Sequence, residues 1–129
     1  MDVIKRAENC LDTYALVAIS LDDKNYRDAL KKPFVVPDLA LAEFYDVMAR
    51  KHNTQTADYW QKRLWLFSVP VPRALLIEAV RMRRAKKELN LSLTDAAGYC
   101  LAQHLGLPFV TGDKAFKGMK GVDYRSARV

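Results

Sequence analysis

Four carboxylates in this 129-residue chain sit where ordinary solvated acids are uncommon, among apolar or small neighbours. They are Asp12 in Leu11-Asp12-Thr13, Glu43 in Leu41-Ala42-Glu43-Phe44, Asp95 in Leu93-Thr94-Asp95-Ala96-Ala97, and Asp113 in Val110-Thr111-Gly112-Asp113. Carboxylates gathered in such surroundings repel one another and resist ionisation unless cations neutralise them. Oxygen donors of this kind suit Mg²⁺ or Mn²⁺. Ions held by them can activate water and stabilise an in-line displacement at phosphorus. Each acid also has an ordinary reading. Asp95 completes a Ser-x-x-Asp capping arrangement with Ser92. Asp113 can form a turn after Gly112. Glu43 can face solvent on its helix, and Asp12 can simply end a strand. The four together, in this order, weigh more than any one of them.

The elements that must carry these acids can be read from pattern. A short strand ends at Asp12, and the apolar run Ala15–Ile19 continues as a helix. Asp22 and Asp23 can cap a second short helix reaching Lys32. Pro33-Phe34-Val35-Val36-Pro37, β-branched and aromatic between prolines, reads as a buried strand. Asp38 is placed to cap the next helix, whose apolar positions include Leu41, Phe44 and Met48. Thr54 or Thr56 opens another, carrying Tyr59, Trp60, Leu64 and Phe67, and Val69-Pro70-Val71-Pro72 breaks it. Pro72 suits the first turn of an amphipathic helix with Leu75, Ala79, Met82, Ala85 and Leu89 on one stripe. Ser92 starts a further helix that ends near Leu105, with Gly106 as its C-terminal cap. Pro108–Thr111 reads as a strand, and Gly121–Tyr124 adds a last short one. Strands separated by helices imply crossovers, hence an α/β fold with a mostly parallel sheet covered by helices on both faces. Sites in such sheets lie beyond the carboxyl ends of strands, which is where Asp12 and Asp113 fall.

With the acids placed on these elements, the chain resembles the PIN domain family, in particular its small toxins of the VapC type. Leu11-Asp12-Thr13-Tyr14-Ala15-Leu16 is similar to the family's first motif, and Glu43 to its helix-borne Glu. Leu91-Ser92-Leu93-Thr94-Asp95-Ala96 and Phe109-Val110-Thr111-Gly112-Asp113-Lys114-Ala115-Phe116 resemble the third and fourth motifs. The resemblance runs from Asn9 to Tyr124. It departs at Lys5, Arg6 and Glu8, where the family shows an apolar strand, and in the scarcity of acids after Asp113, since only Asp123 follows.

The resemblance implies one PIN-like domain over residues 1–129 and a Mg²⁺- or Mn²⁺-dependent endoribonuclease, the toxin of a type II toxin–antitoxin pair. The alternative is a catalytically inactive PIN-like module that binds RNA or protein. On that resemblance Asp12, Glu43, Asp95 and Asp113 are the catalytic and metal-site residues. Thr111 and Thr13 are the supporting hydroxyls, orienting an acid by hydrogen bonding. Lys114, Lys117 and Lys120, following Asp113, are expected near the acids, where they could hold an RNA backbone. RNA, a cognate antitoxin and a second copy of the chain are the implied partners.

The remaining features bound the class. Half the residues are hydrophobic, 28% are charged, and Gly and Pro number only five each. This excludes collagen-like and low-complexity chains. No apolar run approaches the ~18 residues of a membrane span, and the charged N-terminus is unlike a signal peptide, so a cytoplasmic protein is expected. The net charge of +6 permits phosphate-backbone binding without requiring it. Arg81–Lys87 is the densest basic run and reads first as a solvated helix face. Cys10 and Cys100 fit no metal spacing and are expected to be buried, reduced thiols. His52 and His104 read as helix-end residues. Asp46 is expected to pair with a nearby base rather than join the acids. Trp60, Trp65 and Phe67 read as core or dimer contacts.

Overall fold

The computed structural model describes residues 2–126, apart from the side chain of Asp2. Five strands among them form one sheet: β1 (Asn9–Leu11), β2 (Phe34–Pro37), β3 (Ser68–Val69), β4 (Phe109–Thr111) and β5 (Val122–Tyr124). Their order is β3-β2-β1-β4-β5, and every neighbouring pair is parallel. Parallel neighbours cannot be joined by hairpins, so each connection crosses a face of the sheet. The crossovers use α2 (Thr13–Ser20), α3 (Asp38–Lys51), α4 (Thr54–Leu64), α5 (Arg73–Ala85) and α6 (Leu93–Leu105). A short helix, α1 (Asp2–Arg6), precedes β1.

The strands are short and apolar because both faces are covered. Successive side chains point to opposite faces and thus divide the core in two. Leu11, Phe34, Val36 and Val110 pack with Leu16, Leu41, Phe44 and Met48 of α2 and α3, and with Leu64 of α4. Cys10, Val35, Val69 and Phe109 pack on the other face with Leu75 and Ala79 of α5 and Ala97 and Leu101 of α6. Phe109 anchors this second layer, with the Phe116 ring edge-on at 5.1 Å and the Tyr99 ring at 5.9 Å. The α/β architecture read from the sequence is therefore the one observed. Cys10 and Cys100 are free and buried. No helix among the described residues is long and apolar enough to cross a membrane.

Several local expectations are corrected. Asp38 does not cap α3. Pro37 occupies the cap, and Asp38 is the first helical residue. Its Oδ1 accepts from the N–H groups of Leu39, at 2.8 Å, and Val71, at 3.2 Å, tying the start of α3 to the segment before α5. Thr54 opens α4 as expected, behind an Asn53 cap whose side chain accepts from the Thr56 N–H at 2.7 Å. The segment after Asp23 is a 3₁₀ helix ending at Leu30. Ala85 is exposed, because α5 ends there and the chain passes through a 3₁₀ turn before Leu89. Lys5 and Arg6 belong to α1, which explains the missing apolar strand before Asp12. Val3 and Ile4 still pack against the second core layer. Other readings hold: Ser92 caps α6, and Gly106 ends it at φ 69°.

Candidate active site

In a parallel sheet all carboxyl ends lie along one edge. Asp12 follows β1 and Asp113 follows β4, and these two strands are direct neighbours, paired Cys10 with Phe109 and Leu11 with Val110. The helices that start at this edge bring the other two acids. Asp95 lies in the first turn of α6, and Glu43 lies in the second turn of α3. All four line one cavity of about 530 Å³, together with Thr13, Tyr14, Gly112 and Lys114. Four segments spread over about a hundred residues thus contribute carboxylates to a single space.

Each acid is held by its local chain. Asp12 is 3% exposed and caps α2, its Oδ1 accepting from the Ala15 N–H at 2.8 Å. Thr111 sits beneath the cavity, fully buried. Its hydroxyl bonds the Asp12 carboxyl and also accepts from the Asp113 N–H at 3.0 Å, so one side chain links the two strand-end acids. Asp113 accepts from the Ala115 N–H at 3.0 Å, which closes the short turn after β4. The Asp95 N–H donates to Ser92 Oγ at 3.0 Å. Ser92 in turn bonds the Asp95 carboxyl from its side chain and its backbone, so the capping box and the cavity share this acid. Thr13 lines the cavity with the acids. Its hydroxyl donates to the Ala40 carbonyl at 3.4 Å, joining the start of α2 to the turn of α3 just before Glu43.

The electrostatics bind the four acids together. Burial pushes the Asp12 carboxyl up to about 7, an effect opposed by its bonds to Thr111 and Ala15 and reinforced by the charges of Asp95 and Asp113. Asp95 is also raised, first by burial and then by Glu43 and Asp113, against the pull of Ser92. Asp12 and Asp95 thus hold their protons more tightly because of burial and the neighbouring negative charges, a strain that a cation in the cavity would relieve.

The three lysines expected near the acids separate. Lys114 lines the acid cavity. Lys117 lies over the Tyr124 ring, 5.4 Å from its centroid. Lys120 precedes β5, so it belongs to the amino edge of the sheet, and it lines a different groove between α5 and α6. Strand direction is the reason: the chain must return to the opposite edge before β5 can run parallel to β4. Asp123 pairs with Arg125 at 2.8 Å and Asp46 with Arg50 at 3.0 Å, so neither joins the cavity. Trp60 and Phe67 pack against the core, whereas Trp65 remains largely exposed. Sequence reasoning assigned no role to Tyr14 or Gly112, two cavity residues whose only signal is adjacency to the acidic motifs.

The family model described as PIN domain matches residues 10–122. The chain belongs to the PIN domain family. Among solved structures, a Mycobacterium tuberculosis toxin, VapC20, described as cleaving the sarcin–ricin loop, superposes with a TM-score of 0.77 at 20% identity. That match covers 90% of this chain and 98% of the toxin. A toxin–antitoxin complex from Klebsiella pneumoniae matches with a TM-score of 0.70 at 21% identity, over 89% of this chain and 95% of the other. VapBC2 of Rickettsia felis, solved with a DNA fragment from its promoter, matches with a TM-score of 0.70 at 14% identity, over 92% and 98%. At these identities the likeness concerns the fold. No curated protein matches the sequence.

The donors also bear on the metal question. Among the described residues no three His, Cys, Asp or Glu side chains already form a set of metal ligands. Mg²⁺, however, keeps several waters and commonly takes only one or two protein carboxylates. An all-oxygen set of mutually repelling acids around one cavity fits such an ion in charge and in chemistry.

Proposed function

We propose that this PIN-domain protein is a metal-dependent endoribonuclease and the toxin of a type II toxin–antitoxin pair. The convergence of Asp12, Glu43, Asp95 and Asp113 on one cavity at the carboxyl edge of the sheet carries the reading. Mg²⁺ or Mn²⁺, held by carboxylates from this set, would supply the polarisation of phosphate and the activation of water that phosphodiester hydrolysis requires. The chain's own residues do the rest. Thr111 keeps Asp12 and Asp113 in fixed relation through its two hydrogen bonds. Ser92 holds Asp95 at the mouth of α6. Lys114 offers a positive charge to the RNA backbone beside the acids. The solved toxin–antitoxin relatives support an antitoxin and a second copy of the chain as partners. Exposed apolar side chains such as Trp65, Leu66 and Ile77 give such partners surface to cover.

A second reading is a PIN-like module that binds RNA or protein without cleaving. One experiment separates the two: incubation of mixed single-stranded and structured RNAs with Mg²⁺ or Mn²⁺, comparing the wild type with Asp12→Asn and Asp95→Asn, with an EDTA control. Metal-dependent cleavage by the wild type, lost in both folded variants, is the expected result. Cleavage that survives both substitutions would overturn the assignment of the acids. RNA binding without cleavage would favour the module.

A further inference from the structure

Tyr14 is the one aromatic residue among those lining the acid cavity. It lies two residues after Asp12, in the first turn of α2, and is 38% exposed. Its position is tightly determined. A Cβ at position 112 would lie 2.1 Å from the Tyr14 ring, so the ring occupies the space that any other residue there would fill. Gly112 does not have a positive φ, so backbone conformation does not demand glycine here. The ring demands it. Tyr26, fully buried, backs Tyr14 with ring centroids 6.4 Å apart and planes inclined at 34°. The Tyr26 hydroxyl donates to the Arg125 carbonyl, which anchors this support to the segment after β5. The Tyr14 ring is thus held against Gly112 and near the buried Tyr26, beside the carboxylates, in a residue that stays partly exposed.

We infer that Tyr14 is a stacking platform for the nucleobase next to the cleaved phosphate. This rests on the ribonuclease reading above and names the residue that would hold the base there. The cavity then offers one chemistry to each part of a nucleotide: acids for the phosphate-bound cation, Lys114 for a flanking phosphate, and an aromatic face for the base. Every base has a π-face, so a single ring selects for an accessible base rather than for a sequence. A base inside a duplex is already stacked on both sides and cannot reach the ring without being unpaired. A ring held in place before binding also loses little conformational freedom when a base settles on it.

The test measures RNA binding in a cleavage-silenced background. Asp12→Asn is compared with Asp12→Asn/Tyr14→Ala and Asp12→Asn/Tyr14→Phe. Each is titrated against a fluorescein-labelled, random-sequence 12-nucleotide single-stranded RNA and against the same length as a duplex. Folding of all three is checked by thermal melting, and cleavage by the wild type is assayed in parallel. Loss of the ring should weaken binding of the single strand by roughly ten- to a hundred-fold. Tyr14→Phe should bind as the parent does, because the ring face and not the hydroxyl carries the contact. Duplex binding should be weak and the same for all three. Equal single-strand affinity for the parent and the Ala variant would overturn the role of Tyr14 and leave the nuclease reading standing. Failure of Phe to rescue would overturn stacking in favour of a hydroxyl contact. No RNA binding by the parent, with no cleavage by the wild type, would overturn both the stacking role and the ribonuclease reading.

Discussion

Replacing Asp12 by Asn should stabilise the metal-free protein at alkaline pH. Asp12 is buried beside two other acids, and its carboxyl is raised from the ordinary 3.8 to about 7. The folded state therefore holds this proton more tightly than the unfolded chain does. Below about pH 4 the group is protonated in both states and costs nothing. As the pH climbs toward 7 the unfolded chain releases its proton first, so stability falls, and the loss is complete above 7. At about 1.4 kcal/mol for each pH unit, the full penalty is roughly 4 kcal/mol, more than half of it lost between pH 5 and pH 8. Domains are stable by only about 5–15 kcal/mol, so this is a large effect. Asn removes the charge but keeps an oxygen that can accept from the Ala15 N–H, so the cap on α2 survives. Urea unfolding in EDTA from pH 5 to pH 8 is the assay. The wild type should lose roughly 2–3 kcal/mol across that range, and Asp12→Asn should show a clearly flatter profile and exceed the wild type at pH 8. Millimolar Mn²⁺ at pH 8 should restore the wild type and help the variant far less, because a cation bound by the native state stabilises it. A wild-type profile as flat as that of the variant, or a variant less stable than the wild type at pH 8, would refute the electrostatic account.

Thr111→Val should lower cleavage by one to two orders of magnitude, because it removes the hydroxyl that links Asp12 to the Asp113 N–H. It should also cost about 1 kcal/mol of stability by leaving that half-buried N–H without its partner, as denaturant melts would show. Lys114→Ala should weaken RNA binding and flatten its salt dependence, whereas Lys120→Ala, on the amino edge, should leave both nearly unchanged. Equal effects of the two would contradict the placement of the cavity. Gly112→Ala should force the Tyr14 ring aside, and a crystal structure of the variant should show the ring displaced from the cavity wall.

Much of the scaffold was legible because it depends on neighbours in sequence. Ser92 announces its helix through its own spacing to Asp95, and Gly106 ends that helix because a left-handed residue is cheapest as glycine. Phe34-Val35-Val36 reads as a buried strand because it has no polar face to expose. Errors arose where a distant segment competed for a local group. Asp38 has a capping residue's chemistry, yet its carboxylate also accepts from the Val71 N–H, thirty-three positions away, and Pro37 takes the cap.

The sequence by itself determined the kinds of groups available and their order along the chain: four acids in apolar settings, a threonine and glycine before the last acid, and strands and helices that alternate. Only the tertiary structure decided which of these meet. Parallel pairing of β1 with β4 puts Asp12 beside Asp113, and the starts of α3 and α6 at the same edge bring in Glu43 and Asp95. The same strand direction carries Lys120 to the far edge although it lies only seven residues beyond Asp113. It also sets Tyr14 against Gly112, nearly a hundred positions away, so that a glycine with no unusual backbone becomes necessary for a ring. Residue type and local hydrogen bonding are properties of a short stretch of chain, whereas proximity across a sheet is created by strand order and direction, which are settled when the two apolar faces are buried together.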